Sequence, residues 1–214
     1  MIFSEVLYPA IKETLYMVSV STVFAILIGF IPAIFLVITE DGGLRPNKIL
    51  HKVLDIIVNL LRSFPFIILM IAIFPLTKLI VGKTIGTTAA IVPLTIAAAP
   101  FAARIIESAL KEVDPGVIEA AKSFGASNSQ IIFKVMLKEA MPSIVLGITL
   151  TVISVVGYSA MAGAVGGGGL GDIAIKYGYY RFETNIMIYT VVILIILVQI
   201  FQSIGNIIYK RLTK

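Results

Sequence analysis

Long apolar runs separated by short polar stretches dominate this 214-residue chain. Five of them, at residues 15–38, 63–81, 85–105, 144–165 and 186–208, are long enough to cross a membrane. About 30 Å of hydrocarbon needs roughly 20 helical residues. None carries Asp, Glu, Lys or Arg well inside, apart from Lys78 near one end. The polar loop 40–62 contains an amphipathic helix at 49–61 that leads into the second span. Only the second and third spans meet through a tight connection, Gly82-Lys83-Thr84. Pro32, Pro65, Pro75, Pro93 and Pro100 each remove a backbone donor and predict kinks. Ala97, Ala98, Ala99, Ala102 and Ala103 give the third span a thin face suited to close packing.

One long polar gap, residues 106–143, carries its own helical signals. Asp114-Pro115 reads as an N-cap acid followed by the residue best tolerated in a first helical turn. Val117, Ala121 and Phe124 recur at i, i+4 and i+7, predicting one apolar stripe. Gly125 is the left-handed C-cap of that helix. Ser127 and Gln130 form a capping box that opens a second helix, expected to run to about Ala140 before Pro142. Helix, glycine corner and helix predict a compact protrusion.

Composition points the same way on separate grounds. Hydrophobic residues make up 58%, charged residues only 14%, and mean hydropathy is +1.03. Soluble domains average about 25% charged, so this is an integral membrane protein, and its span-length apolar runs predict an all-α fold. No linker divides the chain, so residues 1–214 are expected to form one transmembrane domain. The net charge of +5 does not predict nucleic-acid binding, because the basic residues are scattered between apolar runs. Without cysteine there are no disulfides or thiolate metal sites. Glu5 and Glu13 precede the first apolar run with no cleavage signature behind it, so that span is expected to be retained as a signal anchor. Twelve basic residues fall in the segments on one side of the five spans and five on the other. That bias predicts an outside N-terminus, a cytosolic C-terminus and a cytosolic 114–140 hairpin.

Catalytic constellations are missing. His51, the sole histidine, lies in the amphipathic segment and is read as a solvated interfacial residue. Gly166 to Gly171 formally contains G-x-G-x-x-G, but no strand precedes it, and no Walker A sequence occurs. The glycines are expected to form an extracellular-side turn, with Ser159, Gly163 and Gly167 on a small-residue face. The absence of ionisable residues inside the spans argues against a proton-coupled carrier.

Glu119-Ala120-Ala121, three residues and Gly125 resemble the EAA loop of ABC-transporter import permeases. The element that follows reads Val135-Met136-Leu137-Lys138 and lacks the usual final proline. Arg62 to Leu69, Ala90 to Thr95, Ala99-Pro100-Phe101, Gly157 to Met161 and Tyr177-Gly178-Tyr179 are similar to the permeases of methionine importers. The resemblance implies a type I importer architecture in the plasma membrane: five spans per chain, a homodimer and a cytosolic coupling helix. Two ATP-binding cassette subunits would dock at Glu119, Ala120, Ala121 and Gly125, and would bind ATP and Mg²⁺, with no cofactor in this chain. An extracytoplasmic binding protein would deliver the substrate, and Tyr158, Ser159 and Met161 would line the pathway. Methionine is the implied cargo, with the choice between its L and D forms left open. Another amino acid or small organic solute is the alternative within the class, and an ATP-independent channel or carrier the alternative outside it.

Overall fold

A computed structural model describes residues 3–213, and every regular element among them is helical. Among the described residues, four helices are long and apolar enough to cross a membrane. They are α1 (Tyr8–Thr39), α5 (Thr87–Lys111), α8 (Leu137–Gly163) and α10 (Thr184–Leu212). Between α1 and α5 lie α2 (Lys48–Arg62), α3 (Phe66–Ala72) and α4 (Phe74–Val81). Between α5 and α8 lie α6 (Pro115–Ser123) and α7 (Asn128–Gln130), and α9 (Gly169–Ile173) precedes α10. The all-α layout holds; of the five expected crossings four are continuous helices and one is broken.

That crossing is the second. The stretch 63–81 is two short helices meeting at Ile73, not one span. Pro75 sits in the first turn of α4, where its missing N–H costs nothing, and Pro65 sits at the N-cap of α3. Both prolines therefore start helices instead of kinking one. Pro32, Pro93 and Pro100 stay inside continuous helices. Tertiary burial outweighs their lost hydrogen bonds.

The centre is the α1–α5 pair. Ser21 reaches the Ile91 carbonyl, and Gly29 faces Ala99 and Ala103, so the two helices run in the same direction. Ser21, Ala25, Gly29 and Ala33 are buried at four-residue spacing on α1 against the alanine face of α5. A Cβ at Gly29 would lie 2.5 Å from the Ala99 carbonyl oxygen, so only glycine allows this approach. One core cluster, with Met17, Met70, Leu94 and Val155, fills one half of the bundle. A second, with Ile106, Leu110, Ile131 and Met136, fills the half toward the polar hairpin.

At that end, the loop after α1 folds back to satisfy the helix's last carbonyls. Arg45 N–H donates to Ile38 O at 2.8 Å and Asn47 N–H to Thr39 O at 2.9 Å. His51 Nδ1 lies 3.0 Å from Leu36 O and the ring is half-buried, so it is a helix-capping group and not a solvated one. At the opposite end the glycine run is packed, not loose. The Glu13 carboxylate accepts from Gly169 N–H at 2.7 Å and Thr14 Oγ1 from Leu170 N–H at 2.9 Å. Gly163 and Gly171 bring the backbones of α8 and α9 together. Gly167 lies beyond the end of α8, over Ala162, so the expected Ser159–Gly163–Gly167 helix face is not formed.

Candidate functional site

The polar gap folds as its local signals predict at three points. Asp114 Oδ1 accepts from Gly116 N–H at 2.6 Å and opens α6. Gly125, at φ +77°, closes it. Ala126 N–H then reaches back to Ala121 O at 3.1 Å and Gly125 N–H to Lys122 O at 2.9 Å, the paired bonds of a Schellman end. Ser127 N–H donates to Gln130 Oε1 at 2.8 Å, and Gln130 N–H donates in return to Ser127 Oγ at 3.4 Å.

Two features differ from expectation. The helix opened by Ser127 does not stop at Ala140. It passes through a wide-turned stretch, Ile131–Met136, and on through Pro142 as α8. Ile131, Ile132, Met136, Ala140 and Ile144 bury against α1 and α5 across that proline, and this packing outweighs its lost bond. The hairpin's second arm is therefore the end of a membrane span. The apolar stripe of α6 is also rotated: Ile118 and Ala121 lean on the core, while Val117 and Phe124 face out. Phe124 is 91% exposed, an aromatic ring at the tip of a rigid corner. Glu119 and Ala120 share the outer surface, and among the described residues Glu119 makes no ion pair.

Behind the hairpin lies a charged chain that reading the spans one at a time does not find. Arg104 on α5 binds Asp55 (2.5 Å) and Asn59 (2.9 Å) of α2 and Glu107 (2.9 Å) of its own helix. Lys111 binds Glu107 and Glu40, each at 2.9 Å. Glu107 is only 2% exposed. The spacing Arg104, Glu107, Lys111 is i, i+3, i+7, and that one-faced pattern was readable in the sequence. This chain ties α2 and the end of α1 to α5, the helix that runs directly into α6.

The three predicted pathway residues on α8 do not converge. Tyr158 is half-buried and stacks on Phe66 with centroids 5.0 Å apart and planes at 13°. Ser159 is buried, and its hydroxyl donates to Val156 O at 2.8 Å. Met161, 46% exposed, projects from the open face of α8 with Leu150 and Gly157. A Cβ at Gly157 would meet nothing within 4 Å. Among the described residues, no three His, Cys, Asp or Glu side chains gather as a metal site.

Residues 25–214 match the family described as binding-protein-dependent transport system inner membrane component. The chain belongs to that family. It is accordingly a multi-pass inner-membrane permease component. A Vibrio cholerae protein named as a probable D-methionine transport system permease is 54% identical, over 97% of this chain and 92% of its own length. The Bacillus subtilis methionine import system permease protein is 46% identical, over 97% and 94%. Among solved structures, an inward-facing methionine ABC transporter chain superposes with a TM-score of 0.95 at 46% identity, covering 97% of this permease and 96% of that chain. An amino-acid ABC transporter chain at 20% identity, covering 95% and 92%, shares the fold with a TM-score of 0.78.

Proposed function

We propose that this permease imports methionine as a homodimer, powered by two ATP-binding subunits and supplied by an extracytoplasmic binding protein. The observation that carries the ATPase reading is α6: a helix capped at both ends and set on a membrane span, offering Glu119, Ala120 and Phe124 outward. Ala120 keeps the helix slim, Glu119 offers a charged contact and Phe124 an apolar anchor. Gly125 fixes the corner, and Ala121 seats the helix on the core. Cleft movement in an ATPase would pass through α6 into α5 and α8. The substrate reading rests on the names of relatives at 46–54% identity. Uptake by vesicles holding permease, ATPase and binding protein tests both. ATP-dependent accumulation of labelled L- or D-methionine is expected. Accumulation without ATP would remove the importer class, and ATP-driven uptake of another solute alone would remove methionine.

The 12-to-5 basic bias supports an outside N-terminus and a cytosolic hairpin. Single cysteines at Lys122 and Lys176 test it in whole cells. An impermeant thiol reagent is expected to label position 176, and labelling of 122 instead would reverse the topology.

Pathway lining falls to α8, with Met161 in front, Tyr158 held behind it by Phe66, and buried Ser159 keeping the helix close to its neighbours. Two Met161 side chains meeting at a dimer axis would close the path as an apolar gate, since dehydrating a zwitterion is costly. Met161→Ala is expected to raise basal ATP hydrolysis and substrate leak severalfold, whereas Ile196→Ala on the exposed face of α10 changes neither. Equal leak in the two variants would leave Met161 a packing residue.

A further inference from the structure

Beside the hairpin end, α2 lies over the α1–α5 pair without filling the space beneath it. The cleft left there has a volume of about 260 Å³ and a wholly apolar wall. Ile28 and Pro32 come from α1, Ile57 and Leu61 from α2, Ile96 and Pro100 from α5. Water needs two to four polar partners to stay in such a space, and none is offered.

Helix α2 meets α3 at 99°, so it lies across the bundle instead of continuing the crossing. One flank, Ile49, Val53, Ile56 and Leu60, is exposed and apolar. The other carries Lys48, Lys52, Asp55, Asn59 and Arg62. This is the pattern of a helix lying in a membrane interface. Charge is lopsided around it. Asp41 faces Lys48 at 3.4 Å, and Asp55 is taken by Arg104. Arg45, Lys52 and Arg62 make no ion pair among the described residues. Basic residues on an interfacial amphipathic helix attract anionic headgroups.

We propose that this cleft is a binding site for an anionic phospholipid, with one acyl chain under α2 and the headgroup among the basic residues of 45–62. The apolar fluid in contact with a membrane-spanning chain is lipid, and a methylene chain matches the wall. The bound lipid steadies α2, which Arg104 holds to α5, so it supports the helix that carries the hairpin. The inference depends on membrane insertion and not on the identity of the substrate.

The test uses the assembled transporter in nanodiscs containing phosphatidylglycerol with a photoactivatable diazirine in its acyl chain. Mass spectrometry is expected to find label on Ile57, Leu61 or Ile96. Leu61→Trp, which fills the cleft, is expected to cut that label about tenfold, and Ile56→Trp on the outer flank to leave it unchanged. In the unmodified chain, unlabelled phosphatidylglycerol is expected to compete several-fold better than phosphatidylcholine, and Lys52→Gln with Arg62→Gln to erase that preference. Equal competition by the two lipids would reduce the site to bulk lipid contact. Label present in the lone permease but absent from the assembled complex would assign the cleft to a protein partner. Either result overturns the proposal, while methionine uptake by the same preparation reports separately on the transport reading.

Discussion

Gly125→Pro is expected to release the ATPase from this permease while leaving the chain inserted in the membrane. Gly125 sits at φ +77°, and proline is locked near −65°, so the corner cannot form. The substitution also removes the N–H that Gly125 donates to Lys122 O. Helix α6 has nine residues and no buried side chain, far below the roughly 12–15 residues at which isolated helices become marginal. With its end cap gone it frays. Phe124→Ala separates the anchor from the corner. The ring is 91% exposed, so its loss costs the fold little, but truncating an interface aromatic of about 2 kcal/mol weakens docking roughly thirtyfold. Glu119→Ala removes only a charged contact and is expected to have the smallest effect of the three. Co-purification of the ATPase, read beside transport, ranks them. Undiminished assembly and uptake with Gly125→Pro would remove α6 from the mechanism.

What the sequence made legible here was local. Asp114, Gly125, Ser127 and Gln130 act on backbone groups two to five residues away, so their roles follow from spacing alone. The apolar runs were legible because span length is set by bilayer thickness. Whether a proline starts a helix or sits within one depends on what packs beside it. Pro142 is carried through by Ile131, Met136 and Ile144 against α1 and α5, contacts remote in sequence. Pro75, by contrast, begins a helix after a break at Ile73. The outward turn of Phe124 was hidden for the same reason: Ile118 and Ala121 won the core side of α6 through contacts outside the hairpin. The role of α2 needed Asp55 and Arg104, 49 residues apart, to be seen as partners.

Glu107→Ala is expected to be among the most damaging single changes on the hairpin side of the molecule. The carboxylate is almost fully buried between Arg104 Nη1 and Lys111 Nζ, each 2.9 Å away. Removing one member of a buried ionic group leaves its partners desolvated and unpaired, which costs roughly 3–5 kcal/mol. Arg104 keeps Asp55 and Lys111 keeps Glu40, and the lysine is partly exposed, so a loss of about 3 kcal/mol is expected. Glu107→Gln preserves shape but keeps one acceptor for two obligate donors, so one bond is lost and its amide NH2 faces a cation; it should cost somewhat less than Glu107→Ala. Denaturant titration of the reconstituted permease reads both. The functional consequence is separable from stability, because α2 stays attached through Asp55 while the brace behind α6 loosens. ATP hydrolysis is then expected to continue with less methionine moved per ATP. An Arg104→Met, Glu107→Leu double variant leaves no fully buried charge unpaired and should recover part of the stability lost in Glu107→Ala, but it also strands Asp55 and Asn59 and releases α2 from α5. Should the single variant match the unmodified chain in both stability and coupling, the charged chain would be an incidental surface contact and α5 would carry the hairpin unaided.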